Sequence, residues 1–399
     1  MTSPAESDAA NLEDAQTSIA PSPYLFVFLE VFAQEGGIQS YVQDIFRSYL
    51  SLKALPQADV LLLRDQASES NPFQSPHLKF HCFQSRSARL GRLKFSVALL
   101  TYLVKRKPQR VFCGHIKLAP LIRMFCQPLG IPYTVLTYGK EVWEPLPPSE
   151  RDALQQADRL WTISRYSRNR ACAANLLEPA KIKLLPCAVD SEQFSPGEKP
   201  LELLQQYGLQ DSRVLMTVAR LWSGDIYKGV DVTLRALPSL AQAIPDVKYL
   251  VIGRGDDQPR LAKLASELGV SDRVIFAGFV PTQELVKHYR LADAYVMPSQ
   301  EGFGIVYLEA MACGLPVLAG DADGSADPLQ DGKLGWHVPH RNSTAVAQAC
   351  ITILQERAAY LQHQECDRRC DSRWLRQQVL AHFSRAAFTE QLQLLLNED

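Results

Sequence analysis

Two glutamates eight residues apart, Glu301 and Glu309, are the side chains of this sequence that folding alone explains least. Glu301 precedes a Gly-Phe-Gly turn, whereas Glu309 lies within the apolar run from Ile305 to Met311. Apolar residues cover nearly the whole circumference of the helix predicted there, so we expect a buried helix and a buried acid. Burying an unpaired carboxylate costs several kcal/mol, so Glu309 requires hydrogen-bond donors. A pair of ligand hydroxyls would supply them.

The start of the same predicted helix suits an anion. Gly302-Phe303-Gly304 leads into its N-terminus, where unpaired backbone N–H groups and the helix dipole favour a negative ligand, most often phosphate. Gly314 and Pro316 provide the C-terminal stop. One end of the helix therefore suits a phosphate, and its middle suits a sugar hydroxyl. The alternative is an ordinary buried helix whose acid pairs with backbone or with an arginine.

Two cations stand where a second part of such a site is expected. Arg220 follows the apolar run Val214–Ala219, and Lys228 stands just before the next helical pattern. Because ligands of doubly wound sheets bind outside the carboxyl ends of the strands, both cations are placed for an anion. Taken alone they are better explained by a surface ion pair and a solvated lysine. Together with Glu301 and Glu309 they favour a binding site.

Parallel sheets are predicted to position these residues. Apolar runs alternate with helical patterns along the chain, as expected when strands and helices alternate in an α/β protein. Strands are predicted at Tyr24–Leu29, Val60–Leu63, Arg110–Cys113, Tyr133–Thr137, Arg159–Ile163, Ile182–Leu185, Val214–Ala219, Tyr249–Ile252, Val274–Phe276 and Ala294–Met297, with a further strand after Pro316. Helices are predicted at Ile38–Leu50, near Gly229–Ile244, near Thr282–Leu291 and from Ser372 onwards. Two prolines and polar turn residues interrupt this alternation at Pro186–Pro196, where we predict the interdomain linker.

The run from Glu301 to Val317, EGFGIVYLEAMACGLPV, resembles the signature of retaining, nucleotide-sugar-dependent glycosyltransferases of family 4. Both acids, the glycine loop, the Glu-Ala helix and the Gly-Leu-Pro-Val turn match in register. The linker PCAVDSEQFSP is similar to the family's junction, with Cys187-Ala188 where Asn-Gly is usual. The resemblance implies the GT-B fold, in which two Rossmann-like doubly wound parallel-sheet domains face a central cleft. It implies an acceptor-side domain at 24–196, a donor domain at 197–371 and a terminal helix at 372–399 that packs back on the first domain.

The resemblance also implies roles for individual residues. Arg220 and Lys228 would hold the donor diphosphate, Glu301 would bind hydroxyls of the transferred sugar, and Glu309 would bind the ribose. The residues implied to be catalytic are Arg220, Lys228 and Glu301. The remaining donor-binding residues are Glu309 and, through their N–H groups, Phe303, Gly304 and Ile305. Gly253 and Arg254 follow the strand Tyr249–Ile252; we interpret them first as loop residues and second as contacts of the nucleotide. Gly324 and Ser325 are further candidates near the donor sugar.

The acceptor side departs from the family pattern. Gly36 and Gly37 match a Gly-Gly pair that faces the acceptor and the donor phosphate, the alternative being a tight turn from strand to helix. Tyr138 stands where many relatives have histidine, although the following glycine and Glu141 persist. A histidine acid or base is therefore not expected there, while Tyr138 retains a hydroxyl for a sugar. For His115 an acceptor contact and a structural role both stay open.

Composition and length indicate a globular protein of two domains. The chain has 399 residues, 46% of them hydrophobic and 21% charged. It has no run of about 18 apolar residues, which a membrane-spanning helix needs. The first 23 residues contain no basic residue, which excludes a signal-peptide n-region and indicates a disordered acidic tail. Nine cysteines without a CxxC pair are typical of reduced thiols in a cytosolic protein.

The charge is distributed unevenly. Residues 24–199 contain 23 Lys and Arg against 15 Asp and Glu, whereas residues 200–399 contain 19 against 24. Much of the excess lies at positions 86–110, on both sides of the apolar stretch Phe95–Val104. This basic amphipathic segment suits an anionic membrane surface or a phosphate-bearing acceptor. The alternative is a solvated surface helix.

The resemblance implies a metal-independent hexosyltransferase that moves a sugar from a UDP- or GDP-sugar to a hydroxyl of a glycan, lipid-linked or small-molecule acceptor. We expect a role in polysaccharide or glycolipid biosynthesis, in the cytoplasm or peripherally at the inner face of a membrane. No cofactor and no nucleic-acid partner are expected, since the nucleotide sugar is a co-substrate. Two alternatives have the same fold: a non-catalytic nucleotide-sugar-binding scaffold and a phosphate-dependent sugar phosphorylase.

Overall fold

The structure, a computed structural model, describes residues 24–34, 36–52, 57–67 and 71–398. The acidic tail predicted at residues 1–23 lies outside them. Within the described residues the chain forms two parallel sheets, of seven and six strands. None of the described helices is long and apolar enough to cross a bilayer.

The first sheet has the strand order β3-β2-β1-β4-β5-β6-β7. Its strands are β1 (Tyr24–Phe28), β2 (Ala58–Leu62), β3 (Leu78–Cys82), β4 (Arg110–Cys113), β5 (Tyr133–Thr137), β6 (Arg159–Thr162) and β7 (Ile182–Leu184). Its helices are α1 (Gly37–Leu50), α2 (Ala88–Arg106), α3 (Ala119–Leu129), α4 (Pro148–Gln155) and α5 (Arg165–Asn175). Every residue of β1 is buried, as a parallel sheet with helices on both faces requires.

The second sheet has the order β10-β9-β8-β11-β12-β13. Its strands are β8 (Arg213–Val218), β9 (Val247–Ile252), β10 (Val274–Gly278), β11 (Ala294–Met297), β12 (Val317–Gly320) and β13 (Trp336–Val338). Its helices are α6 (Leu201–Tyr207), α7 (Val230–Ala243), α8 (Gln258–Glu267), α9 (Thr282–Tyr289), α10 (Ile305–Ala312) and α11 (Ser343–Leu361). In each sheet the chain reverses direction of winding beside the first strand, β1 or β8, which opens a crevice at the carboxyl ends.

The two faces of the first sheet build separate hydrophobic clusters. Phe26 and Phe28 of β1 point to one cluster, whereas Leu25 and Val27 point to the other. This alternation follows from the two-residue period of a strand. The cluster that contains Phe26 continues into the second domain, so one face of the first sheet packs on the elements that carry the donor half.

The predicted two-sheet architecture is confirmed, and each strand that we bounded from the sequence lies within two residues of its prediction at either end. The sequence pattern missed β3 and β13, the edge strands of the two sheets. In β3 only Leu78 is buried, and β13 has three residues. Short edge strands with polar, partly exposed side chains lack the continuous apolar run that identifies a central strand.

One helix predicted from Ser372 is in fact two, α12 (Ser372–Phe383) and α13 (Arg385–Asn397). The prediction was wrong because Ser384 has extended backbone and its hydroxyl accepts the N–H of Ala387 at 3.2 Å, which begins a new helix. Val189 of the linker pairs with Ser384 at this break. Helix α12 packs against α10 in the second domain, and α13 packs against α1 in the first.

Arg376 of α12 connects the linker to the C-terminal end of α10. Its guanidinium donates to the carbonyl oxygens of Phe194 at 2.6 Å, Ala312 at 2.5 Å and Ser191 at 2.8 Å. The last carbonyls of a helix lack intrahelical donors, so a cation there satisfies one of them and complements the helix dipole.

We predict that Arg376→Ala lowers the free energy of unfolding by about 2–4 kcal/mol, because three carbonyl groups lose a charged donor. Urea unfolding followed by tryptophan fluorescence measures the change. Arg373→Ala is the matched control, since Arg373 is exposed on the same helix. Equal stability of the two variants would refute this role of Arg376.

Candidate functional site

The N-terminus of α10 is open to a ligand. Gly304 precedes the helix with φ of 89°, a left-handed value that glycine adopts without steric cost. The N–H groups of Phe303, Gly304 and Ile305 meet no acceptor among the described residues. The Phe303 ring is buried and packs edge-on against Phe383 of α12, with ring centroids 5.9 Å apart. The buried ring anchors the turn, and the unpaired N–H groups of the turn lie where the anion site was predicted.

Lys228 and Glu301 form an ion pair beside this turn. Lys228 ends the short 3₁₀ helix Ser223–Lys228 after β8, and Glu301 follows β11. The two loops lie against each other because Gly229, with φ of 76°, has no side chain; a Cβ there would meet the Pro298 carbonyl oxygen at 2.4 Å. The Gln300 N–H also donates to the Tyr227 carbonyl at 3.1 Å. The backbone thus brings the predicted cation and the predicted sugar-binding acid together.

Arg220 is held at the carboxyl end of β8 by Asp225. The Nε and Nη2 atoms of Arg220 both lie 2.6 Å from Oδ2 of Asp225, whose side chain is 3% exposed. The Arg220 side chain is 67% exposed. The buried acid fixes the guanidinium while leaving much of its surface available to an anion.

Glu309 lies in the middle of α10, as predicted. The Tyr289 hydroxyl donates to its Oε2 at 2.7 Å. The carboxyl is surrounded by protein atoms, and this burial raises its pKa to about 7, although the Tyr289 hydrogen bond acts in the opposite direction. Part of the residue nevertheless stays accessible. One donor from the protein meets the acid, and its other oxygen has no partner among the described residues.

Asp323 stabilises the Glu301 loop through hydrogen bonds to its backbone. Its carboxylate accepts the Glu301 N–H at 2.6 Å and the Ser325 N–H at 2.8 Å. Burial raises its pKa to about 6 against the effect of these hydrogen bonds. Gly324 packs on the same loop, since a Cβ there would lie 2.1 Å from the Gly302 carbonyl oxygen. Asp323 and Gly324 therefore fix the backbone at Glu301.

The first domain touches this loop directly. A Cβ on Gly302 would lie 2.7 Å from the Tyr138 carbonyl oxygen, and the Ser167 hydroxyl donates to the Gly302 carbonyl at 3.3 Å. The Lys140 ammonium lies 4.2 Å from the centre of the Tyr227 ring across the cleft. The two domains thus meet at the turn that begins α10.

Arg165 of α5 adds a polar connection between the domains. It binds Asp327 through its backbone N–H and its guanidinium, and it binds Asp331 at 2.8 Å. Both acids follow the short 3₁₀ helix Gly324–Ala326 of the second domain. These contacts hold the cleft closed beside the Glu301 loop.

Tyr138 does not present its hydroxyl to the cleft, contrary to our expectation. The side chain is 8% exposed, and its hydroxyl donates to the Gly114 carbonyl at 2.9 Å. Glu141 likewise faces its own loop, where it accepts the N–H groups of Tyr138 and Gly139. Both were expected on the acceptor side. The carboxylate instead shapes the turn that touches Gly302.

His115 has the structural role that was one of the two left open for it, and the acceptor contact stays a prediction. Its Nδ1 accepts the Lys117 N–H at 3.1 Å and caps the 3₁₀ helix Ile116–Leu118. Burial, reinforced by the charges of Lys117 and Arg64, lowers its pKa to about 4. The imidazole is therefore neutral near pH 7, and because Nδ1 accepts, its Nε2 carries the proton. That Nε2–H has no acceptor among the described residues and is available to a ligand.

Gly36 and Gly37 lie exposed at the N-terminus of α1. A Cβ on Gly37 would meet nothing within 4 Å, so packing within the described chain does not require glycine there. Gly36 has extended backbone, with φ of 177°. The close approach of a ligand at position 37 stays a prediction.

Gly253 is required by packing. A Cβ there would lie 1.8 Å from the Ala219 carbonyl oxygen, and φ is 137°. The neighbouring Arg254 is exposed and stacks on the Phe279 ring at 4.8 Å. The Ser325 side chain is buried, and its hydroxyl donates to the Gly320 carbonyl at 2.8 Å. Of these residues Arg254 keeps an exposed cation beside the predicted nucleotide pocket.

Sequence reasoning missed Asp225, Tyr289 and Asp323, the partners of the predicted site residues. Asp323 carried a usable signal, because an acid before Gly-Ser often accepts the N–H two residues on. The other two partners lie 5 residues from Arg220 and 20 residues from Glu309. Only the fold brings them into contact.

The arrangement is suited to a ligand with an anionic centre flanked by hydroxyl groups. The unpaired N–H groups, Lys228 and Arg220 are able to bind an anion, and the carboxylates of Glu301 and Glu309 are able to accept hydrogen bonds from hydroxyl groups. Among the described residues no group of three or more His, Cys, Asp or Glu side chains is arranged to hold a metal ion.

Comparison with known proteins agrees with this description. The family model of glycosyl transferases group 1 matches residues 202–369. A GDP-mannose-dependent alpha-(1-6)-phosphatidylinositol monomannoside mannosyltransferase of Mycolicibacterium smegmatis is 36% identical over 233 residues, which cover 55% of this chain and 60% of that protein. A GDP-mannose-dependent monoacylated alpha-(1-6)-phosphatidylinositol monomannoside mannosyltransferase of Corynebacterium glutamicum is 29% identical over 311 residues, which cover 74% of this chain and 79% of that protein. The first relative is therefore matched over less than two thirds of its length.

The fold has solved counterparts. HepE of Anabaena, crystallised with UDP, superposes with a TM-score of 0.74 at 19% identity, covering 94% of this chain and 100% of that one. At this identity the likeness concerns the fold, which is GT-B as the sequence predicted.

The raised pKa of Glu309 predicts a stability difference that depends on pH. Because the folded carboxyl holds its proton more tightly than the unfolded one, the contribution of Glu309 to wild-type stability falls as pH rises from about 4.5 to about 7. Glu309→Gln removes the ionisation, so we expect the variant to be more stable by about 1–3 kcal/mol above pH 7 and nearly equal to wild type at pH 4.5.

Chemical unfolding at a series of pH values measures this difference. Glu284→Gln, which changes an exposed acid on α9, is the control and should leave the pH dependence unchanged. A Glu309→Gln variant whose stability follows wild type at every pH would show that Glu309 is not held in an unfavourable ionised state.

Proposed function

We propose that this chain, in which residues 202–369 match the family model of glycosyl transferases group 1, transfers a hexose from a nucleotide diphosphate sugar to a hydroxyl group, with retention of configuration. The observation that carries the proposal is the helix α10, with unpaired N–H groups and the Lys228–Glu301 pair at its start and Glu309 in its middle. We propose that a diphosphate binds at the start of this helix, with the sugar at Glu301 and the ribose at Glu309.

We propose GDP-mannose as the donor, because two of the relatives are named for that donor. Glu309 would accept hydrogen bonds from the ribose hydroxyls, which favour its ionised form. Arg254 and the loop after β9 would lie beside the base. Because a protein of the same fold was crystallised with UDP, UDP-sugars are the donors to compare with GDP-mannose.

In the proposed reaction, negative charge develops on the diphosphate close to Lys228 and Arg220. The bond between the sugar C1 and the diphosphate oxygen breaks, and Lys228, Arg220 and the N-terminus of α10 stabilise the departing diphosphate. Glu301 would bind sugar hydroxyls and thereby orient C1. We propose that these cations and dipoles offset the charge without a metal ion or other cofactor.

Retention follows if the acceptor hydroxyl attacks C1 from the face that the diphosphate leaves. A new bond forms between C1 and the acceptor oxygen, and the acceptor proton passes to the departing diphosphate. No side chain need act as base, which is consistent with a Tyr138 whose hydroxyl is occupied within the first domain. The neutral His115, whose Nε2–H is free among the described residues, would contact the acceptor.

For the acceptor we propose a hydroxyl of a lipid-linked glycan or polyol, since the named relatives act on phosphatidylinositol mannosides. The exposed Gly36-Gly37 turn lies at the N-terminus of α1 and would let such an acceptor approach the backbone. The protein would then work peripherally at the inner face of a membrane, in glycolipid or polysaccharide biosynthesis.

Turnover of GDP-mannose and UDP-glucose, with and without membrane lipid extracts as acceptor, tests this proposal. Lys228→Ala should lower kcat/KM by about 100-fold or more, because it removes a charge from the leaving group. Glu309→Gln should act mainly on KM, because the ribose contact is equal in ground and transition states. Lys263→Ala, which removes an exposed lysine of α8, is the matched control.

An unchanged kcat/KM in both site variants would refute the site assignment. Calorimetric binding of a nucleotide sugar without transfer to any acceptor would instead support the non-catalytic scaffold. Transfer that requires free phosphate would support a phosphorylase.

A further inference from the structure

The outer face of α2 is apolar and exposed. Its five outward side chains are 41–61% exposed: Leu90, Leu93, Val97, Leu100 and Val104. At 3.6 residues per turn they fall within an arc of about 80°. The opposite side of the helix is buried on the first domain through Gly91, Phe95, Leu99 and Leu103. The helix therefore carries a second apolar stripe that the domain's core does not use.

Cations lie along this exposed stripe and at both of its ends. The exposed Lys and Arg side chains are Arg86, Arg89, Arg92, Lys94, Lys105, Arg106 and Lys107. None of them forms an ion pair with a residue in the part of the chain that the structure describes. Residues 86–107 contain no Asp or Glu. The stripe is therefore an apolar surface with a basic border.

The basic border distinguishes between the possible occupants of the stripe. A second copy of α2 would bring seven cations against seven without an intervening acid, which is electrostatically unfavourable. An anionic bilayer accepts apolar side chains below its headgroups and attracts cations at the headgroup level. Charge complementarity therefore favours the bilayer.

A cavity beside the stripe fits the same partner. It has a volume of about 340 Å³ and is lined by Leu61, His81, Phe83, Ala98, Lys105 and Arg106, among others. His81 is oriented by Asp59, whose carboxylate lies 2.7 Å from its Nε2 and also accepts the Tyr102 hydroxyl. Cationic groups at the side of an apolar recess suit a phosphate group joined to an apolar chain.

We infer that α2 is a membrane-docking helix: its outward stripe enters the headgroup region of an anionic bilayer, and Lys105 and Arg106 bind a lipid phosphate beside the cavity. The docking would hold the first domain at the surface that contains a lipid-linked acceptor. The inference depends on the proposed function only for that purpose, since binding to lipid is measurable without sugar transfer.

Co-sedimentation of the full chain with vesicles tests the inference. We expect binding to phosphatidylcholine vesicles in which about a third of the lipid is phosphatidylglycerol, and at least about tenfold weaker binding to pure phosphatidylcholine. Leu93→Ser/Val97→Ser/Leu100→Ser and, separately, Lys105→Gln/Arg106→Gln should each weaken binding to the anionic vesicles about tenfold or more. Added salt should weaken wild-type binding as well.

Matched substitutions on other elements are the controls. Leu361→Ser/Leu394→Ser changes two leucines that are each 53% exposed, and Lys263→Gln/Lys287→Gln changes two exposed lysines of the second domain. Both should bind vesicles as wild type does. Hydrolysis of the donor sugar in the absence of lipid should be unchanged in the α2 variants, which shows that they fold.

Three results would overturn the inference. They are equal binding of wild type to neutral and anionic vesicles, full binding by either α2 variant, and a wild-type dimer in sedimentation velocity that the leucine and valine substitutions dissociate. The last result would assign the stripe to a second copy of the chain.

Discussion

The structure depends on the burial of α10. This burial leaves N–H groups at the start of the helix without acceptors and the Glu309 carboxyl in its middle with one donor among the described residues. Burial of Tyr307, Leu308 and Met311 fixes the helix in the second domain. That same burial leaves the Glu309 carboxyl with one donor, Tyr289, and raises its pKa to about 7. Buried groups that lower the stability of a protein in this way are common at binding sites, where a ligand supplies the missing hydrogen-bond partners. A ligand with an anion and hydroxyls would relieve both the unpaired N–H groups and the acid.

Three parts of the structure contact α10 and its N-terminal turn: the loops of the second domain, helix α12 and the first domain. The loops after β8 and β11 bring Lys228 to Glu301, and Asp323 holds the backbone of Glu301. Helix α12 fixes the C-terminal end of α10 through Arg376. The first domain closes over the turn at Gly302, where packing leaves no space for a side chain. The domain contact and the anion site therefore share one turn of backbone, so closure of the cleft and the geometry of the site are coupled.

Sequence patterns predicted the central strands and the buried acid Glu309 of α10, because continuous apolar runs and a charged residue among them have few explanations. They failed at β3 and β13, where edge strands are short and partly polar. They also failed for Tyr138 and Glu141, whose side chains are used inside the first domain. Whether a polar group faces a cleft or a neighbouring carbonyl is decided by a rotation of one side chain, which residue type and spacing do not specify. The contacts of Asp225 with Arg220 and of Tyr289 with Glu309 could not be predicted either, because only the folded structure brings these side chains together.

The central claim is that Glu309 binds the ribose of a nucleotide diphosphate held at the start of α10. Its most direct test is a calorimetric cycle with GDP and 2′,3′-dideoxy-GDP on wild type and Glu309→Gln. If Glu309 binds the ribose, loss of the two hydroxyls weakens binding to wild type by about 10- to 100-fold and changes binding to the variant much less. The same factor for both proteins would contradict it, because the hydroxyls would then be bound elsewhere.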